Sequence, residues 1–174
     1  ARLATELVQK MPAAEVPEET TGYEGFFHLT GISGTVERAT VNFIIRDHDR
    51  ERFEARKAML RGLVQGMNLK YGYEALALQL DDTYYNMREK VEPVMHIIDI
   101  AREAMEAAGV EPQIKAIRGG TDGAQLSFMG LPCPNIFAGG LYFHGPHELL
   151  PVPNLKKACE VVINIARLTA ERYR

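Results

Sequence analysis

The sequence predicts a mixed α/β fold in two parts: a partial ferredoxin-like α-β-β-α-β unit that lacks its first strand, then a β-α-β-α segment of the parallel-sheet kind. Apolar residues recur at helical spacing in several stretches, they alternate with polar residues in others, and Gly or Pro marks the boundaries. The pattern changes across an aromatic, polar and charged stretch over 84–92. We therefore expect two domains, residues 1–88 and 89–174.

The elements of the first part follow from its apolar spacing. A helix opens the chain, and a hairpin follows with a strand over 26–30, a turn over 31–34 and a strand over 38–46. Asp49 is expected to cap a long helix, and a third strand comes after that helix. The apolar residues that define these last two elements are Phe53, Leu60, Leu63, Val64 and Met67 in the helix and Leu76, Leu78 and Leu80 in the strand.

In the second part, predicted helices and strands alternate. A helix covers 93–108, strands cover 114–117 and 135–138, and a short helix over 121–129 lies between them. Asn154 is expected to cap a final helix. The residues of that helix that should face the core are Leu155, Ala158, Cys159, Val162 and Ala166.

Composition limits the classes of partner. The chain has 174 residues and 46% apolar content, enough for a substantial core. Twenty basic and 23 acidic side chains give a net charge of -3, which provides no basic field for nucleic acid or an anionic membrane. No apolar run approaches the ~20 residues that span a bilayer. Because the chain has two cysteines, we do not expect a disulfide framework, and we expect a cytoplasmic location.

A glycine-rich loop follows the strand predicted at 114–117. Arg118 offers a guanidinium fork suited to a carboxylate, and Gly119 and Gly120 permit positive φ and a close backbone approach to a ligand. Thr121 or Asp122 is positioned to cap the helix that comes next. The competing interpretation is an ordinary strand-to-helix turn.

A second loop carries a histidine and carboxylate cluster. His144 lies close in sequence to His147 and Glu148, and neutral imidazole is a good zinc ligand when a neighbouring group fixes its tautomer. The spacing is not that of the helical His-Glu-x-x-His motif, and a protein zinc site needs three or four ligands. A metal site and a surface His-Glu pair both remain open from the residues alone.

Four stretches carry a family resemblance. They are GYEGFFHL at 22–29, YYNMREK at 84–90, RGGTDGAQLSFMGLPCPN at 118–135, and the Gly139-Gly140 pair followed by HGPHE at 144–148. Together they resemble the peptidase T family, tripeptide aminopeptidases among the two-zinc exopeptidases that also include the carboxypeptidase G-type enzymes. The resemblance runs along nearly the whole chain.

The resemblance implies a zinc-binding α/β catalytic domain interrupted by a lid domain that pairs subunits. Residues 1–88 then correspond to the lid without its opening strand, and residues 89–174 to the C-terminal part of the catalytic domain. His144 corresponds to the last zinc ligand. The other ligands of the two zinc ions, and the glutamate that serves as general base, would lie in a preceding segment, so this C-terminal part is expected to be inactive alone.

The resemblance also implies a cytoplasmic homodimer, joined through the lid, that removes the N-terminal residue from tripeptides. We expect Arg118, with Gly119 and Gly120, to hold the peptide's terminal carboxylate. Arg46 and Asn86 are expected to lend polar groups from the lid.

Two further functions remain open. One is a dimerisation module that pairs through an exposed sheet edge, and the other is a metal-free anion-binding protein. Tyr84 and Tyr85 are interpreted as packing residues at the domain junction.

Overall fold

The computed structural model describes residues 1–173, which form two compact units. The first unit comprises Ala1–Asn86 together with Ala116–Gly120, and the second comprises Met87–Lys115 together with residues 121–173. Arg118 therefore belongs to the first unit, although the segments that precede Ala116 and follow Gly120 belong to the second.

The first unit contains two helices and a hairpin. Asp49 caps the longer helix by accepting a hydrogen bond from the Arg52 backbone N–H at 2.8 Å, as predicted. Gly72 ends that helix with φ at 73°, the left-handed conformation that glycine adopts without strain. The core of this unit is built around Leu7, Val64 and Met67. In chain order the elements are α1 (Arg2–Lys10), β1 (Phe26–Gly34), β2 (Ala39–Arg46) and α2 (Arg50–Tyr71).

The hairpin is longer than predicted. Strands β1 and β2 pair antiparallel from Phe26 opposite Arg46 to Gly34 opposite Ala39, so the predicted turn at 31–34 is wrong. A register shift between Leu29 and Gly31 accommodates an extra residue in β1, and the two strands remain paired beyond it. The turn falls over residues 35–38 instead, where the Thr35 N–H donates to the Arg38 carbonyl at 2.7 Å.

All the regular secondary structure described in the second unit is helical. Its core lies between α4 and α6, where Ala104, Ala108 and Val161 are almost fully buried. The helix predicted from Pro93 is preceded by a short helix and a 3-10 turn. No helix within residues 1–173 combines the length and the apolar character needed to cross a membrane. The elements are α3 (Arg88–Val91), the 3-10 turn (Glu92–Val94), α4 (His96–Ala107), α5 (Asp122–Phe128) and α6 (Val152–Arg172).

The mixed α/β class is confirmed, but three predicted strands do not pair. The β1–β2 hairpin is the one sheet formed by residues 1–173. At Leu76 the side-chain amide of Asn68 on α2 takes both backbone groups, at 2.8 Å each, in place of a neighbouring strand. In the segments at 114–117 and 135–138 the apolar side chains are partly exposed, as at Ile114, which is 68% exposed. A strand needs a partner for its backbone groups, and periodicity alone does not supply one.

Helix α6 also starts earlier than predicted. Its N-cap is Pro151, and Asn154 lies inside the first turn, so the predicted cap is wrong. The buried face consists of Ala158 and Val161, whereas Val162 is 51% exposed. The inward face is thus rotated from the predicted one, because packing against α4 selects which residues are covered.

Candidate functional site

Arg118 is held in place before any ligand is considered. Its two terminal nitrogens donate to the carbonyl and to the hydroxyl of Thr20, each at 2.6 Å, and its guanidinium lies 4.9 Å from the centre of the Phe26 ring. The third donor, Nε, is buried and has no hydrogen-bond partner within residues 1–173. The side chain is therefore fixed, and its buried Nε–H is unused among the described residues.

Arg46 makes a similar contact with Tyr84. The guanidinium of Arg46 lies 4.8 Å from the centre of the Tyr84 ring, a cation–π distance. The Tyr84 hydroxyl is buried and also lacks a partner in the described part of the chain. Burial raises the pKa of this phenol, and the nearby Arg46 charge acts in the opposite direction.

The second glycine of the pair after Arg118 is required by close packing and not by its φ. Neither Gly119 nor Gly120 adopts positive φ. A side chain at Gly119 would meet nothing within 4 Å, whereas a Cβ at Gly120 would overlap the hydroxyl and ring of Tyr84. Glycine is required at the second position because the Tyr84 ring lies against the backbone there.

These groups meet at the open end of the hairpin. Phe26 and Arg46 are directly opposite each other in the β1–β2 ladder. Side chains opposite each other project from the same face of a sheet, with Cβ atoms about 4.5–5.5 Å apart. Arg118 stacks on the first residue and Tyr84 on the second. We call Phe26, Arg46, Tyr84, Arg118 and Gly120 the arginine corner.

The arginine corner carries two positive charges that no described carboxylate neutralises. Within residues 1–173 neither Arg46 nor Arg118 forms an ion pair with a carboxylate. The nearby Asp47 carboxylate is engaged by Arg56 at 2.9 Å. The corner is therefore suited chemically to an anion.

An ion-pair network anchors the segment that carries Tyr84. Lys57 on α2 is only 6% exposed and donates to Glu54 and to Asp82, at 2.9 Å each. The Tyr85 hydroxyl donates to the same Asp82 carboxylate at 2.7 Å. The hydrogen bond from Tyr85, and then that from Lys57, holds the pKa of Asp82 below its ordinary value. Asn86, at the end of this segment, is exposed and donates to the His48 carbonyl at 3.3 Å.

His144 lies in the second unit, on a loop closed by backbone pairing of Leu141 with Leu149. It adopts φ of 65°, and Tyr142 adopts φ of 56°, which are uncommon values for residues with a side chain. The Glu148 carboxylate accepts a hydrogen bond from the His144 backbone N–H at 2.9 Å. Glu148 thus fixes the loop backbone.

The Gly139-Gly140 pair ahead of this loop has a clear steric role. Gly139 adopts φ of 86°, and its carbonyl accepts a hydrogen bond from the Asn154 side chain at 3.0 Å. A Cβ there would come within 2.7 Å of the Asn154 Cβ. At Gly140 a Cβ would come within 2.6 Å of the Phe143 ring. Gly139 thus allows the loop to pack closely against α6, and Gly140 leaves room for the Phe143 ring of the loop itself.

The donor groups of this chain do not make a zinc centre by themselves. Across residues 1–173, no three His, Cys, Asp or Glu side chains gather in a way that would hold a metal ion. His144 offers one exposed imidazole, and the Glu148 carboxylate already binds backbone. A structural or catalytic zinc site takes at least three protein ligands.

Sequence reasoning missed two residues of the arginine corner and its support. Thr20 carried no motif, and its contact with Arg118 spans 98 positions. Tyr84 was interpreted as a packing residue, and it does pack, but its hydroxyl is buried without a partner. No spacing rule would have identified either one, because both depend on a long-range contact.

Comparison with known proteins points to one family. No family model matches the chain. It is 61% identical to the peptidase T of Parabacteroides distasonis over 169 residues, which are 97% of this chain and 41% of that protein. It is 53% identical to the peptidase T of Geobacillus kaustophilus and 54% identical to that of Vibrio parahaemolyticus, in each case over 98% of this chain and 42% of the relative.

Solved structures show the same fold. A tripeptidase from Staphylococcus aureus matches with a TM-score of 0.65 at 16% identity, covering 98% of this chain and 45% of that one. The aminopeptidase PepT from Bacillus cereus matches with a TM-score of 0.59 at 20% identity, covering 94% and 43%. The chain therefore belongs to the peptidase T family, and it spans about two fifths of the length of the curated relatives it matches.

Proposed function

We propose that the chain is part of an aminopeptidase that removes the N-terminal residue from tripeptides. The observation that carries this proposal is the 61% identity to a peptidase T over 97% of the chain. The match extends over 169 of the 174 residues, so it includes the segments that carry the arginine corner and the His144 loop. The substrate class is a small free peptide.

The arginine corner supports a role in binding the terminal carboxylate of that peptide. A short free peptide carries its carboxylate close to the bond that is cleaved, so a tripeptidase has to neutralise it. Arg118 is the proposed partner, since a fixed guanidinium binds a carboxylate through charge-assisted hydrogen bonds. Arg46, Asn86 and the backbone of Gly119 and Gly120 are proposed to contribute further polar contacts.

Zinc dependence is a further part of the proposal, and it rests on the family resemblance. We assign His144 as one ligand, and we place the remaining ligands and the general base outside these 174 residues. Since a single imidazole does not hold zinc tightly, the 174 residues on their own are proposed to be inactive. A cytoplasmic location is proposed on the same basis.

A paired histidine experiment tests the activity. We expect a full-length protein containing this chain to release the N-terminal residue from Ala-Ala-Ala and to leave N-acetylated Ala-Ala-Ala intact. His144→Gln should lower kcat/KM by more than about a hundredfold. Loss of a residue that merely hydrogen-bonds to a metal ligand already lowers activity by up to about a hundredfold. His147→Gln, on the same exposed loop, should change it less than about threefold.

Two results would contradict the proposal. One is a full-length, metal-supplied protein that leaves unblocked tripeptides untouched. The other is equal effects of the two histidine substitutions, which would remove the special role assigned to His144.

We also propose that the first unit joins two copies of the protein. The two-stranded sheet leaves the outer edges of β1 and β2 without a strand partner within residues 1–173. An open edge favours pairing with another strand. Sedimentation velocity should therefore give the mass of two chains. A single-chain mass at every concentration tested would refute this assembly.

A further inference from the structure

Two buried polar atoms lack a hydrogen-bond partner among the described residues, and both belong to the arginine corner. They are the Tyr84 hydroxyl and Arg118 Nε. Buried polar atoms in native proteins are nearly always paired, and each exception calls for a physical explanation. Arg118 Nε can only donate and the Tyr84 hydroxyl can donate or accept, so an acceptor would satisfy both atoms.

The charges around these atoms define the missing acceptor. Arg46 lies over the Tyr84 ring, and Arg118 lies over Phe26 on the same face of the hairpin. Neither guanidinium is neutralised by a carboxylate within residues 1–173. Burial raises the pKa of the Tyr84 phenol. A ligand that only accepts hydrogen bonds and carries negative charge would satisfy every one of these groups.

Packing alone does not account for the hydroxyl of Tyr84. The hydroxyl lies closest to Gly120, but phenylalanine would offer the same ring to Arg46 without a buried polar atom. The neighbouring Tyr85 shows the ordinary arrangement, because its hydroxyl donates to Asp82 at 2.7 Å. An unpaired hydroxyl costs stability, and this cost is offset when a ligand supplies the acceptor.

We propose that Tyr84 is a ligand-binding residue whose hydroxyl donates a hydrogen bond to the terminal carboxylate of the bound peptide, beside Arg118. This inference rests on the proposed function for the identity of the carboxylate. Tyr84 then makes the site selective for peptides with a free C-terminus. Gly120 admits the ring to the position from which the hydroxyl reaches the ligand.

The test uses Tyr84→Phe in a full-length protein containing this chain, with Tyr73→Phe as the matched control at a side chain that is 61% exposed. The probe is Ala-Ala-Ala with its first peptide bond reduced to CH₂–NH, which cannot be hydrolysed. Calorimetry measures its affinity as the free acid and as the C-terminal amide. Thermal unfolding without ligand is measured in parallel.

We expect Tyr84→Phe to weaken binding of the free acid about tenfold or more, the usual effect of losing a hydrogen bond to a charged group. Binding of the amide should change less than about threefold. The unfolding temperature without ligand should stay the same or rise, because an unpaired buried oxygen has been removed. Tyr73→Phe should change none of these values.

Two results would overturn the inference. One is unchanged affinity for the free acid in Tyr84→Phe. The other is a lower unfolding temperature with equal losses for acid and amide, which indicates a purely structural hydroxyl. A protein that binds the free acid through Tyr84 but hydrolyses no tripeptide would refute the proposed function and support this inference. Tripeptide hydrolysis that does not depend on Tyr84 would support the proposed function and refute this inference.

Discussion

Replacing Arg118 by methionine should raise the KM for free tripeptides by about a hundredfold and the KM for their C-terminal amides by less than about threefold. A hydrogen bond between two charged groups contributes about 1.5–3 kcal/mol, equivalent to roughly ten- to a hundredfold in affinity. The amide carries no negative charge and gains little from the guanidinium. Initial rates on Ala-Ala-Ala and its amide measure the difference.

The same substitution has a structural cost that must be separated from the effect on binding. Arg118 donates twice to Thr20, so Arg118→Met should also lower the free energy of unfolding by about 1–3 kcal/mol. Thr20→Val is the matched control, because it removes the hydroxyl acceptor and keeps the guanidinium. We expect Thr20→Val to lower the free energy of unfolding measured in urea. The ratio of the KM values for the free acid and the amide should stay unchanged. If Arg118→Met raised the KM equally for both peptides, its role in binding the carboxylate would be refuted.

Replacing Gly120 by alanine should be far more damaging than the same change at Gly119. A Cβ at Gly120 overlaps the Tyr84 ring and hydroxyl, whereas a Cβ at Gly119 meets nothing within 4 Å. Overpacking of this kind costs about 1–3 kcal/mol. Gly119→Ala should change stability by less than about 0.5 kcal/mol. Urea denaturation measures both values.

A double substitution identifies the cause of the Gly120 effect. If the Tyr84 ring is the obstacle, Gly120→Ala should cost little in a Tyr84→Ala background, and the two changes should be non-additive by about 1 kcal/mol or more. Full additivity would mean that Gly120 is constrained by something other than Tyr84. Because Gly119 and Gly120 are adjacent and both exposed, the two alanine substitutions differ little in helix propensity, loop position and solvent exposure.

Local features of the sequence predicted local structure well. The long helix α2 was predicted from its cap at Asp49 and its apolar stripe, and the structure has both, with Leu60, Val64 and Met67 buried. Thr121 caps α5 as one of the anticipated caps, with its hydroxyl accepting from the Ala124 N–H at 3.2 Å. A helix cap and an apolar stripe depend on residues within one or two turns of each other. Both can therefore be recognised in the nearby sequence.

Strand predictions succeeded only where a partner was adjacent. The hairpin forms because β2 follows β1 after a four-residue turn. The segments at 114–117 and 135–138 have strand-like composition but no neighbouring strand within residues 1–173. Strand pairing is a contact between two segments, so the pattern of one segment does not determine it.

The sequence by itself determined the helices, the hairpin, the family and the loops that carry Arg118 and His144. Only the tertiary structure decided what those loops contact. It joined Arg118 to Thr20 across 98 positions, set Tyr84 against Gly120, and left two buried polar atoms without a partner among residues 1–173. The reason is physical: capping and amphipathic patterns are short-range, whereas burial, ion pairing and hydrogen-bond satisfaction depend on which distant segments meet.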